Sequence, residues 1–154
     1  MDQPIRRITS FTVDHNVLQP GFYISRRDGD VTTFDLRTRR PNCGAYMDNA
    51  TMHSVEHMFA TLIRNSAIAD RVVYFGPMGC QTGFYLLLRD VSPREAWRYT
   101  VETIERILAY EGPVFGASPV ECGNYANLSL EAAKTELRAY LNVIKGLGES
   151  DYAY

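Results

Sequence analysis

No stretch of this 154-residue chain approaches the ~18 consecutive apolar residues of a membrane span. The opening segment, Met1-Asp2-Gln3-Pro4-Ile5-Arg6-Arg7, lacks an apolar signal core. Charge of one sign is also missing: 16 Lys and Arg against 18 Asp and Glu leave a net −2. No like-charged block therefore marks a nucleic-acid or membrane surface. The densest basic stretch, Arg37-Thr38-Arg39-Arg40, is short and carries no aromatic for stacking on a base. Cysteine is sparse. Cys43, Cys80 and Cys122 are odd in number and widely spaced, which argues against a disulfide framework. With no signal core, they predict free thiols in a reducing cytoplasm. Repeats and low-complexity linkers are absent, so residues 1–154 read as one domain.

What remains is an ordinary globular pattern, with 45% hydrophobic and 22% charged residues. Residues 8–13 alternate apolar and polar and predict a strand, broken at Asp14-His15-Asn16. Residues 21–25 and 31–36 flank Arg27-Asp28-Gly29-Asp30 and predict a hairpin. Residues 40–44 read as a loop. A helix begins at Asp48 or Asn49, with Met52, Val55, Phe59, Leu62 and Ile63 as its apolar stripe. Residues 71–75 and 84–88 are strands joined by the glycine-rich loop 76–83. Ser92, Pro93 and Glu95 signal a second helix reaching about Tyr110, and Ser129 caps a third that ends near Gly146-Leu147-Gly148. Strands, helix, two strands, helix, helix is the order of an α+β domain: an antiparallel sheet with helices packed on one face.

The chemistry concentrates at His53-Ser54-Val55-Glu56-His57, where two of the three histidines lie. Four residues apart on a helix, their Cβ atoms are roughly 5–6 Å apart, and both rings can close on one metal at about 2.0–2.1 Å. Glu56 between them can act there as acid or base. The plainer alternative is two polar residues on a half-exposed helix face. Two imidazoles need a third ligand, and Cys122 leads: it sits in a loop between helices, with Gly123 allowing the backbone to turn its sulfur inward. Glu121 is a weaker competitor, and a small buried hydrophobe is the ordinary fate of such a cysteine. A His2Cys set leaves a fourth position open, the mark of a catalytic centre. Cys80 is displayed between glycines in the loop joining two strands, where a neighbouring metal or arginine would favour its thiolate. Arg37 and Arg64 are the candidate neighbours. Cys43 has no partner motif and reads as incidental.

Five segments, in order, resemble the S-ribosylhomocysteine lyase family, the enzymes that generate the autoinducer-2 precursor. They are Ser10-Phe11-Thr12-Val13-Asp14-His15-Asn16, Phe34-Asp35-Leu36-Arg37, Met52-His53-Ser54-Val55-Glu56-His57, Gly76-Pro77-Met78-Gly79-Cys80-Gln81-Thr82-Gly83 and Glu121-Cys122-Gly123. The resemblance implies that His53, His57 and Cys122 ligate ferrous iron, replaceable by zinc or cobalt. It implies that Cys80 and Glu56 are the acid/base pair, and that Ser10, His15 and Arg37 line the ribose end of the pocket. Arg64 would meet the homocysteine carboxylate, a task suited to a guanidinium fork. It also implies a homodimer with active sites at the subunit interface. The chain departs from the family at Tyr74-Phe75-Gly76, where Asp-Ile-Ser is frequent, and at Leu128, where histidine is common.

Two other readings compete. A small zinc peptidase would use Glu56 as base, with Glu131 or Glu136 as a third ligand, but gives Cys122 and the Cys80 loop no task. A regulatory metal-binding module would need neither an open coordination position nor a displayed thiol.

Overall fold

The computed structural model describes residues 3–154; Met1 and Asp2, the start of the segment read for a signal core, lie outside it. Four strands, β1 (Gly21–Asp28), β2 (Val31–Arg37), β3 (Val72–Pro77) and β4 (Gly83–Arg89), form one antiparallel sheet in the order β1-β2-β4-β3. Three helices, α1 (Asn49–Ile63), α2 (Pro93–Ala109) and α3 (Leu130–Ile144), complete the α+β fold. Among the described residues no helix is long and apolar enough to cross a membrane.

Alternation along the strands divides the sheet into two faces. Phe22, Phe34, Leu36, Phe84, Leu86 and Leu88 point one way, into a core shared with Val55, Phe59 and Ile63 of α1, Ile104 of α2 and Leu137 of α3. Phe59, Phe75 and Phe84 stack in succession through it, with centroids 4.3 and 5.2 Å apart. The opposite face carries Tyr23, Thr33, Asp35, Arg37, Tyr85 and Leu87, and among the described residues α1, α2 and α3 all pack on the other side. A groove of about 430 Å³ runs over this face, lined in part by Tyr74, Tyr85 and Leu87.

The local start signals hold. Asp48 caps α1 by accepting the Thr51 N–H at 2.7 Å, and Ser92 with Glu95 closes a capping box at α2, with Pro93 in its first turn. The Thr51 side chain and then its N–H hold the Asp48 carboxyl below its usual value. A lowered folded value means the cap's benefit is present above the unfolded value and fades as pH falls through the folded one. Asp48→Ala is expected to cost roughly 0.5–2 kcal/mol of unfolding free energy, measured by urea denaturation at neutral pH; an unchanged midpoint would leave the cap without effect.

Residues 8–13 are not a strand. Thr9–Phe11 is a single 3-10 turn, in which the Phe11 N–H donates to Ile8 O and the Thr12 N–H and hydroxyl both donate to Thr9 O. The segment lies across the outer face of the sheet, where Ile8, Thr9 and Ser10 line the groove beside Thr33 and Tyr85. It meets side chains there and pairs with no strand edge, so the backbone satisfies itself locally.

Candidate functional site

His53 and His57 stand one turn apart on α1, beside its buried stripe, with ring centroids 4.6 Å apart and planes at 88°. In both rings Nδ1 meets an oxygen: Asn127 Oδ1 at 2.7 Å from His53 and Phe115 O at 2.8 Å from His57. An oxygen acceptor puts the proton on Nδ1 and leaves the Nε2 lone pair free. His53 Nε2 lies 3.3 Å from Cys122 Sγ. Ligand atoms of His53, His57 and Cys122 all lie within 4.8 Å of one another. A tetrahedral centre with metal–nitrogen and metal–sulfur bonds of about 2.05 and 2.3 Å has donor–donor edges of about 3.3–3.6 Å. The His53–Cys122 separation matches such an edge, and the three side chains form a set that could hold a divalent metal.

The loop around Cys122 is shaped for this. Its N–H donates to Ser118 O at 3.0 Å, and the Asn124 N–H points at its sulfur at 3.4 Å. Gly116 takes a φ of +71°, and a Cβ there would come within 3.2 Å of His57 Nδ1. Glycine thus lets the chain turn immediately after the Phe115 carbonyl that orients His57. Glu56 faces a cavity of about 210 Å³ shared with Asn49, Met52, His53, Pro77 and Asn124.

A second cavity, of about 390 Å³, is lined by Ser10, His15, Arg37 and Cys80, with Pro77 common to both. The turn joining β3 to β4 holds Cys80 out to solvent. Gln81 adopts φ 65° and bonds Met47 both ways, its amide group donating to Met47 O and its carbonyl accepting the Met47 N–H. Gly83 pairs with Arg37, and any Cβ there would sit 2.7 Å from Leu36 O, so glycine alone permits this close approach.

Arg37 is 3% exposed and Asp35 fully buried. Arg37 Nη2 donates to Asp35 Oδ2 at 2.6 Å, and Nη1 donates to Thr82 Oγ1 at 2.8 Å and faces Cys80 Sγ at 3.8 Å. Cys80 Sγ also lies 3.0 Å from Thr82 Oγ1. Burying an ion pair rarely stabilises a fold, since desolvation offsets the attraction. Here the pair fixes a guanidinium beside a thiol. The Tyr154 hydroxyl donates to the same Asp35 oxygen at 2.6 Å. Burial and then the Asp35 charge push Tyr154 far above the usual phenol range, which keeps it a donor.

The other sequence-predicted positions divide. Ser10 and His15 reach the Cys80 cavity. Arg64 does not: it caps the end of α1, with its guanidinium on Val72 O and Val73 O at 3.3 Å. Arg37 is thus the arginine beside Cys80. Glu136, a candidate peptidase ligand, is 5% exposed and gripped by the Arg39 guanidinium, which leaves it no freedom to reach a metal. Cys43 is exposed, its thiol donating to Arg40 O. Sequence reasoning assigned no role to Asp35, Thr82, Phe115, Gly116 or Asn127. Only Asp35 carried a signal, its two-residue spacing from Arg37 on one strand face.

Comparison with known proteins agrees with this geometry. The family model described as S-Ribosylhomocysteinase (LuxS) matches residues 8–150. This chain belongs to that family. Curated relatives named S-ribosylhomocysteine lyase include one from Borreliella afzelii (strain PKo), 40% identical, and one from Clostridium beijerinckii, 42% identical. Another, from Desulfotalea psychrophila, is 42% identical; each alignment spans 97% of this chain and 99% of the relative. The family match covers both cavities and the His53-His57-Cys122 cluster.

Proposed function

We infer that this chain is an S-ribosylhomocysteine lyase, a carbon–sulfur lyase that releases homocysteine and 4,5-dihydroxy-2,3-pentanedione. Family membership carries the reading, and the His53-His57-Cys122 cluster beside Glu56 is the structural observation that supports it most. The peptidase alternative is not supported: among the described residues neither Glu131 nor Glu136 joins the His53-His57 cluster.

The substrate is an open-chain aldose with a thioether at its far end. Its carbonyl must move from C1 through C2 to C3 before the thiol can leave by β-elimination. Each step removes a proton beside a carbonyl. His53, His57 and Cys122 would hold the metal, ferrous iron with zinc or cobalt as substitutes, which supplies Lewis-acid polarisation of the sugar oxygens. Cys80 and Glu56 line adjoining cavities and take and return the protons. Arg37, Ser10 and His15 bind the ribose end. The Arg37 guanidinium is held by Asp35 and Thr82, so it meets the sugar in a fixed orientation.

The active enzyme is a homodimer in this reading, with sites built from both chains. Two features support it. The sheet face opposite the helices presents an apolar and aromatic groove with Tyr74 52% exposed. Arg64 lines neither the Glu56 cavity nor the Cys80 cavity, as expected of a group that meets a carboxylate across a subunit boundary. Three free thiols support a cytoplasmic setting. The test is direct: anaerobic protein loaded with ferrous iron should release one free thiol per S-ribosylhomocysteine. Metal uptake without thiol release would instead favour a regulatory module.

A further inference from the structure

We propose that Asn127, itself held by Asn49, is a positioning residue that sets how tightly the His53-His57-Cys122 centre binds its metal. The inference rests on the metal-site reading above.

An imidazole can ligate through either nitrogen and can spin about its last side-chain bond. Something must choose one nitrogen and one ring plane. For His57 a backbone carbonyl, Phe115 O, does this. For His53 the partner is a side chain, Asn127 Oδ1 at 2.7 Å from Nδ1. A free carboxamide could flip and present its NH2 to the ring, setting donor against donor. A flip of Asn127 alone is opposed, because its Nδ2 donates to Asn49 Oδ1 at 2.6 Å. Asn49 is the first residue of α1, and Asn127 ends the 3-10 turn Tyr125–Asn127. The relay therefore ties the loop that delivers the Cys122 sulfur to the helix that delivers both imidazoles. A change that loosens it disturbs the spacing of all three donors.

The choice of an amide also matters electrically. One thiolate and two neutral imidazoles around a dication leave a net charge of +1. A neutral partner orients His53 without reducing that charge, whereas a carboxylate in its place would do both. Acceptor geometry and added charge can thus be separated by two substitutions. Asn127→Leu deletes the acceptor at similar volume. Asn127→Asp keeps the acceptor toward His53 and adds charge; it loses the Nδ2 donor, and the Asn49 carboxamide turns to donate to the carboxylate in its place.

The experiment titrates cobalt(II) into metal-free protein anaerobically, with a competing chelator for affinity and visible absorption for the geometry at the metal. Wild type should take one ion per chain. Asn127→Leu should weaken affinity roughly 10–100-fold and shift or broaden the ligand-field bands. Asn127→Asp should restore wild-type affinity or exceed it. If Asn127→Leu fails to fold, as judged by circular dichroism, Asn49→Ala carries the test with a loss of roughly 3–10-fold, the equivalent of one modest hydrogen bond. An Asn127→Leu protein with unchanged affinity and spectrum would overturn the proposal, as would an Asn127→Asp protein no better than Asn127→Leu, or unchanged affinity in Asn49→Ala where that variant is decisive. Failure of wild type itself to bind cobalt would overturn the metal-site reading, and this inference with it.

Discussion

Cys122→Ala is expected to yield a folded protein that no longer holds its metal. In the proposed centre the sulfur is one of three candidate donors among the described residues, the one that would bind as a thiolate and the one contributed from outside α1. Removing it leaves two neutral imidazoles from one helix, a bidentate site of low affinity for a divalent ion. The loss should exceed the ~10–100-fold typical of removing a group that merely orients a ligand, and so exceed that of Asn127→Leu. The fold should survive, because Cys122 lies in a half-exposed loop and contributes nothing to the buried core. Two measurements check this: metal content after anaerobic purification, and the sulfur-to-cobalt charge-transfer band, which the variant must lack. Full metal occupancy in Cys122→Ala would show that the third donor is another group.

That sulfur is legible in the sequence and its surroundings are not, and the difference is one of range. The α1 apolar spacing of three and four residues assigns Met52, Val55, Phe59 and Ile63 to the core, and geometry then forces His53 and His57 to the edge of the buried stripe. The Asp48 cap, the Ser92–Glu95 box and the β1–β2 hairpin are equally local, each decided by side chains within four residues of the backbone they serve. Cys122 is within reach of sequence reasoning because few residue types bind metals and few such residues exist in this chain. Asn127 is not, because nothing in Tyr125-Ala126-Asn127 reveals a contact with a helix more than seventy residues earlier.

The second cavity shows the same boundary. Asp35 and Arg37 share a strand face by simple alternation, so their pairing follows from β2 alone. That Thr82 and Cys80 lie against the guanidinium depends on β4 pairing with β2 in a register that sets Gly83 opposite Arg37. Residues 8–13 fail in the other direction. Their alternation is real, but a strand requires an available edge, and this segment lies over a face. Its side chains still reach the expected place, since Ser10 arrives beside Cys80 and Arg37 without any strand at all.

Cys80→Ala should separate chemistry from metal binding more sharply than any other change. Among the described residues the hydrogen-bonding partners of Cys80 are Arg37 and Thr82, and Cys80 is not part of the His53-His57-Cys122 group. Metal content and the cobalt spectrum should therefore match wild type. Turnover should fall by about 10²–10⁴-fold, the usual worth of one acid/base group, and by more if the thiol serves in each of the successive proton transfers. Affinity for the intact substrate should change little, because Arg37 keeps its bonds to Asp35 and Thr82 when the sulfur is gone. Glu56→Gln should behave alike: metal retained, thiol release nearly abolished. Such a pattern would separate the proposed proton carriers, one carboxyl and one thiol, from the three proposed metal ligands. Wild-type thiol release in Cys80→Ala would remove the thiol from the reaction and leave Glu56 to serve both faces of the sugar, whereas loss of metal in that variant would mean that the two cavities are one coordination site.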